Sequence, residues 1–230
     1  MQRGGCAARL ASEAAVFRSL HLAISWLGGP RSIPTLISMS EDALARIIEL
    51  DTARLRLRQW READREPFAA MNADPMVMEF FPALQSRSTS DSSIDAWQTQ
   101  FYERGWSNWA VELRSTESFI GFVGLSVPRR LLPCSPCVEV GWRLAREHWG
   151  RGFATEAARA SLRVGFEQLA LPDIVSFTSV LNVRSRAVMQ RIGMHDTRQD
   201  FEHPGVPEGS ALRRHCLYRI TRAQWSENAG

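Results

Sequence analysis

The sequence predicts an α/β fold in one domain, a mixed sheet with helices packed on it. Three observations carry this. Short alternating or apolar runs, bounded by turn residues, recur from residue 53 almost to the end of the chain. Between them lie stretches whose apolar residues repeat at helical spacing. Finally, 44% hydrophobic and 23% charged residues in 230 positions suit one sizeable core plus an appendage.

Taken in order, "SMSEDALARIIEL" (38–50) reads as a short helix. Ser40 caps it, and Glu41 and Asp42 suit its positive end. In "ARLRLRQW" (53–60), Leu55 and Leu57 alternate with arginines as in a half-buried strand. "READREPFAAMNAD" reads as a helix broken near Pro67. "SSIDAWQTQFYERG" (92–105) sets Ile94, Trp97 and Phe101 at helical spacing, with Gly105 as its stop. "WAVEL" (109–113) and "SFIGFVGLSV" (118–127), joined by a polar turn, form an antiparallel hairpin. "CVEVGWRL" (137–144) alternates as a strand. "ATEAARASLRVGFEQLA" then puts Ala158, Leu162, Phe166 and Leu169 on one stripe, an amphipathic helix lying on a sheet. "DIVSFTSV" (173–180) is the next strand and "SRAVMQRIG" a short helix ended by Gly193. "MHDTRQDF" and "RHCLYRI" close the chain as strands around a Pro/Gly loop at 203–210. Trp97, Trp106 and Trp109 read as core rather than as ligand-stacking residues.

Composition excludes several functions. All 28 basic residues are arginine, so no lysine exists for a Schiff base or a Walker-type phosphate contact. The net charge of +3 comes from the first 34 residues, where Arg3, Arg9, Arg18 and Arg31 face Glu13 alone. The remaining body is neutral, which argues against a nucleic-acid partner. "VFRSLHLAISWL" (16–27) is too short to span a membrane and carries Arg18 and His21. The arginine-rich start reads as a targeting-like segment, as a loosely docked or disordered extension, or as a start codon assigned too early. Four cysteines form no dense disulfide framework, which fits a cytoplasmic protein. "CSPC" (134–137) lacks the second pair that a structural metal site needs; an unpaired-thiol loop is the simpler reading.

The most informative stretch is "EHWGRGFATEAA" (147–158), a bare basic turn between a strand and a helix. The first N–H groups of a helix have no intrahelical partner, and the peptide dipoles add positive potential there. Gly150 and Gly152 let a phosphate approach the backbone, Arg151 adds a charge-assisted contact, and Thr155 adds a hydroxyl. The turn therefore reads as a phosphate or pyrophosphate site, or as a tight turn that binds nothing. The dinucleotide fingerprint fails, because Thr155 stands at its third glycine.

"VEVGWRLAREHWGRGFATEAARA" followed by "NVRSRAVMQRIGM" resembles the GNAT superfamily of acetyl-CoA-dependent N-acetyltransferases. More narrowly, it resembles the branch holding the ribosomal-protein alanine and serine N-acetyltransferases. The anchors present are Glu139, Gly141, Leu144, Trp149, Gly150, Gly152, Phe153, Ala154, Thr155, Glu156, Asn182, Ser185 and Gly193. Trp149 stands where the superfamily has Arg or Gln, a change common in this branch, and Trp142 replaces the usual tyrosine. The resemblance covers about residues 52–222. It implies an N-terminal extension at 1–51, an acetyltransferase domain at 52–225 and a tail at 226–230. It also implies a mostly antiparallel mixed sheet with a splayed strand pair (138–144 against 173–180) and helices on both faces.

The resemblance also implies a site. Acetyl-CoA is the cosubstrate, its pantetheine arm pairing with backbone near Trp142 and Leu144, its pyrophosphate held by the N–H groups of Arg151 to Thr155. Asn182 orients the cosubstrate or serves as a turn residue. The acceptor is a primary amine, on a small molecule or a protein N-terminus, that attacks the thioester directly. Glu139 is the candidate base, shares a strand face with Gly141 and Arg143, and is otherwise an exposed carboxylate paired with Arg143. Ser185 is the candidate acid on the thiolate side, or a plain N-cap. Tyr218 reads as packing. His148 reads as solvated, and His203 and His215 stand as secondary acceptor-pocket candidates. The acidic "DFEHPGVPEG" (200–209) is a candidate attractor of cationic amines. A silent CoA-binding module of the same fold is the competing function. Members of this branch often form dimers. No metal and no membrane are expected.

Overall fold

A computed structural model describes residues 46–228 of the chain. In order, the elements are β1 (Leu50–Asp51), β2 (Leu55–Arg58), α1 (Arg65–Ala73), α2 (Arg87–Arg104), β3 (Asn108–Leu113), β4 (Ser118–Ser126) and β5 (Glu139–Leu144). There follow α3 (Phe153–Arg163), β6 (Asp173–Ser179), α4 (Val183–Arg191), β7 (His195–Asp196), β8 (Phe201–Glu202), β9 (Arg214–Thr221) and α5 (Arg222–Asn228). The strands form one open sheet in the order β1-β2-β3-β4-β5-β6-β9-β7, with β8 also on β9. Every pairing is antiparallel except β5 with β6. The expected α/β class and mixed, mostly antiparallel sheet are what the chain adopts.

Helices cover both faces because strand β4 presents a different apolar set to each. Between the pairs Val111–Gly121 and Glu112–Phe119, β4 carries one extra residue, Ile120. This bulge resets the alternation, so Phe119 and Phe122 point to the same side. There Phe122 meets Trp97 of α2 at 4.8 Å and Phe68 of α1 at 6.0 Å, and Phe119 meets Trp60 at 5.5 Å. On the other face lies the extension of α3, a π-helical stretch at Val164–Gln168. A Cβ on Gly165 would stand 2.5 Å from Ile174 Cδ1 and 3.3 Å from Leu125 Cδ1, so only glycine allows this approach. Trp109 is fully buried, while Trp97 and Trp106 pack against the core, as expected.

Three element expectations are corrected. Pro67 does not break α1, because it occupies the third helical position, where its missing N–H has no intrahelical role. Helix α2 starts at Arg87 rather than 92, since Ser86 caps it by accepting from the Thr89 N–H. Residues 46–49 are not helical: the Ile48 N–H bonds the Gly105 carbonyl at 2.9 Å, and Trp109 Nε1 donates to the Ile48 carbonyl at 2.7 Å. The rest of the helix expected at 38–50, and the arginine-rich start, lie outside the described residues. At the other end α5 runs through part of the expected tail, and Trp225 stacks on Phe166 at 5.6 Å.

The parallel strands β5 and β6 meet at one register pair, Glu139–Val175, where the Val175 N–H donates to the Val138 carbonyl at 2.9 Å. Beyond it they diverge, the expected splay. The Val138 carbonyl faces β6, whereas the Ala145 N–H faces β4 and bonds the Ile120 carbonyl. Strand alternation therefore turns the backbone groups of Val140, Trp142 and Leu144 into the gap. No helix among the described residues is long and apolar enough to cross a membrane.

Candidate active site

The gap opens into a cleft of about 1160 Å³ running between β5, β6, α4 and the start of α3. Of the residues picked from the sequence, Glu139, Trp142, Leu144, Gly150, Gly152, Phe153, Ala154, Thr155, Asn182 and Ser185 line it. Arg151 does not. Its guanidinium lies over the Phe153 ring at 4.8 Å, and its carbonyl accepts from Arg54 Nη1.

The glycine turn is built as an open cradle. Gly150 and Gly152 have φ of 71° and 79°, values that L side chains rarely adopt. Among the described residues nothing lies within 4 Å of a Cβ placed on Gly150, and only Arg54 Nη2 comes near one on Gly152, at 3.5 Å. Gly152 is the N-cap of the eleven-residue α3, so the N–H groups of Phe153, Ala154 and Thr155 have no intrahelical partner. Glu156 in that first turn would repel an anion, but its carboxylate is turned away. It accepts from Thr52 Oγ1 at 2.6 Å, from the Arg54 N–H at 2.9 Å and from Arg54 Nε at 2.6 Å. The Trp149 indole ties the turn to the end of β5, because its Nε1 donates to the Leu144 carbonyl at 2.8 Å. That leaves Leu144 only its N–H to offer the gap.

Glu139 sits at the other end of the gap, where the strands part. Its carboxyl has no hydrogen-bond or ion-pair partner among the described residues, and burial pushes its pKa up to about 8. The anticipated pairing with Arg143 is absent; Arg143 Nη1 donates instead to Asn72 Oδ1 at 2.6 Å. An unpaired carboxyl that ionises near 8 is a base with the right strength for an amine proton. Asn182, not Ser185, caps α4: its Oδ1 accepts from the Ser185 N–H and its Nδ2 donates to Thr178 Oγ1, both at 3.1 Å. The N-cap reading of Ser185 is thus corrected by three positions, and its hydroxyl, on a residue of the cleft wall, makes no hydrogen bond among the described residues. Tyr218 is buried in the sheet away from the cleft.

The two histidines held as secondary acceptor-pocket candidates line the cleft, together with residues that sequence reasoning set aside or did not pick. His203 and His215 stack at 4.7 Å, and burial lowers both, His203 to about 4. His148 lines the turn end, where burial also lowers its pKa, and its Nδ1 has no partner. Arg130, Arg143, Arg184 and Arg191 supply the charge, and Phe80 and Phe81 reach in from the segment after α1. No motif flags these arginines, because their relevance comes from which cleft wall the topology puts them on. Within the acidic segment the carboxylates are partly compensated. Asp200 pairs with Arg214, and Glu202 and Glu208 both lie against Arg213. The Cys134 and Cys137 thiols lie 3.3 Å apart, and no group of three His, Cys, Asp or Glu able to hold a metal occurs among the described residues.

This geometry agrees with what the chain is similar to. A family profile described as "Acetyltransferase (GNAT) domain" matches residues 54–195. The uncharacterized protein YkkB of Bacillus subtilis is 32% identical over 148 residues, covering 64% of this chain and 85% of its own. The "FsC-acetyl coenzyme A-N(2)-transacetylase" of Aspergillus fumigatus is 32% identical over 189 residues, covering 76% and 77%. The crystal structure of a GNAT-family acetyltransferase from Bacillus anthracis superposes with a TM-score of 0.64 at 22% identity, over 76% of this chain and 99% of that one.

Proposed function

Because the chain belongs to the GNAT acetyltransferase family, we propose that it moves the acetyl group of acetyl-CoA onto a primary amine by direct attack on the thioester. One observation carries this reading. A single cleft joins an open helix N-terminus, an unpaired strand edge and a half-buried, unpartnered carboxyl, in that order. When bound, acetyl-CoA supplies an acyl group activated by a good leaving thiol.

The chain's own groups do the rest. The N–H groups of Phe153, Ala154 and Thr155 hold the pyrophosphate, with Gly150 and Gly152 leaving it room. The backbone of Trp142 and the Leu144 N–H hold the amide-bearing arm as an added strand would be held. Glu139 takes the proton that the amine must lose. The Ser185 hydroxyl donates to the leaving sulfur. The printed name of the Aspergillus relative, with acetyl coenzyme A and a nitrogen acceptor, supports the same chemistry.

The test is thiol release from acetyl-CoA against a panel of amines and N-terminal peptides, run beside G152D and E139Q. Turnover on one acceptor, abolished in G152D and weakened in E139Q, supports the reading. Acetyl-CoA binding that G152D destroys, with no turnover on any acceptor, would instead favour a silent CoA-binding module. Absence of acetyl-CoA binding would overturn the reading of the turn.

A further inference from the structure

Arg143 stands on β5 two residues beyond Gly141, on the same strand face as Glu139. It lines the cleft, with its guanidinium over Phe81 at 4.1 Å and near Phe122 at 5.6 Å. Its only hydrogen bond among the described residues is from Nη1 to Asn72, a neutral acceptor whose own amide donates to Ser90. Nε is buried without a partner, and Nη2 makes no hydrogen bond among the described residues. Nε and Nη2 form one edge of the planar fork, the pair of donors that grips a carboxylate in bidentate fashion.

The same chain shows what it does with an arginine buried for structure alone. Arg58 gives Nε to Glu112 at 2.7 Å, and Nη1 and Nη2 to Asp64 at 2.7 and 2.9 Å. Two carboxylates compensate that one charge. Arg143 has none, although an uncompensated charge out of water is costly. Its unpaired edge and its position on a cleft wall say where the missing anion comes from.

We propose that Arg143 anchors an anionic group, a carboxylate, on the acceptor substrate. This rests on the acetyl-transfer reading above and deepens it. Four residues of strand separate Glu139 from Arg143, on the order of 13 Å between their Cα atoms. The acceptor therefore spans that gap: its amine lies at Glu139 and its carboxylate on the order of 10 Å away, about three residues of extended peptide. A single amino acid, whose amine and carboxylate share one carbon, is too short. A peptide-like amine with an acidic group near its third position fits.

The experiment pairs acceptors that differ only in charge: tri-alanine as the free acid and as the C-terminal amide, and Ala-Ala-Asp-amide beside Ala-Ala-Asn-amide. The readout is the ratio of kcat/KM, acid over neutral partner, in wild type, R143M and R143K. The wild type is expected to prefer the charged member of a pair by about 10- to 100-fold. R143M brings the ratio close to one, while R143K, with the charge but not the fork, falls between. Equal ratios in wild type, or losses in R143M that affect both members equally, overturn the proposal. Calorimetric titration of the CoA-saturated protein with the same peptides reads Arg143 without turnover. No thiol release with charge-selective, Arg143-dependent binding would sink the acetyl-transfer reading and keep the anion anchor. Thiol release without charge selectivity would do the reverse.

Discussion

The Glu139→Gln substitution tests the chemistry most directly. Its carboxyl is held near 8 by burial alone, far above the 4.5 of a free glutamate, so two independent consequences follow. The first is catalytic. A positioned base contributes about 10²–10⁴ in rate, so E139Q should lose at least about 100-fold in kcat/KM near pH 8. With an acceptor whose amine titrates near that of lysine, about 10, log kcat/KM of the wild type climbs with a slope of about two below pH 8 and about one above. The variant keeps only the amine's limb, a slope of about one throughout. The second consequence is thermodynamic. Between pH 4.5 and about 8 the unfolded chain has released this proton and the folded protein has not. Stability therefore falls as pH rises through that window, by up to about 5 kcal/mol, and is then level. E139Q removes that fall, which a series of urea denaturations across the pH range reads without any substrate. An E139Q enzyme within about threefold of wild type at every pH refutes the base assignment; an unchanged stability profile refutes the burial on which it rests.

Three further outcomes follow from the geometry. G152D puts a side chain at φ 79° and a carboxylate among unsatisfied N–H groups, so acetyl-CoA should bind at least about 100-fold more weakly by calorimetry; binding within about threefold would move the cradle elsewhere. R58M leaves Asp64 and Glu112 buried without their shared cation, a loss of about 3–5 kcal/mol by urea denaturation. A loss under about 1 kcal/mol would mean that Arg61, whose guanidinium bonds Glu112 and whose backbone N–H bonds Asp64, holds both carboxyl groups without Arg58. W149F removes the indole bond to the Leu144 carbonyl, a loss of about 1 kcal/mol that should raise the acetyl-CoA KM severalfold. An unchanged KM would show that the glycine turn holds its position without that tie.

The parts of the molecule that sequence reasoning reached are those where chemistry and local structure share one stretch of chain. The place of Gly150, Gly152 and Thr155 at an open helix start on the cleft is legible because such a turn is made of consecutive residues. Glu139 is legible for a similar reason, since alternation along one strand fixes its face. What stayed hidden is set by pairing across the sheet. The bulge at Ile120 puts Phe119 and Phe122 on one side, which no reading of β4 alone predicts. Arg54 looks like one more arginine in an alternating strand until Glu156, 102 residues away, is found on it. Ser185 shows the limit from another direction. Ser, three residues after Asn in a helix start, leaves either residue free to cap, and the hydrogen bond from the Ser185 N–H to Asn182 decides it.

Charge in the cleft follows from the same hidden pairings. Read along the chain, Asp200, Glu202 and Glu208 suggest a site that attracts cations. In three dimensions Arg213 and Arg214 already hold them. The cleft wall carries Arg130, Arg143, Arg184 and Arg191 against one carboxyl, Glu139, and that one is neutral below about pH 8. Arg184 is spoken for by Glu79. A polycation entering this cleft would meet like charge and find at most a single counter-ion, the one that must stay free to accept a proton. On the proposed role of Glu139 as base, a monoamine faces no such conflict, because the carboxyl it approaches is also the group that would take its proton. The absence of lysine sharpens the selection. Every positive charge here is a planar fork, and a fork distinguishes a carboxylate by shape as well as sign, so the cleft's basicity favours particular anions rather than negative charge in general.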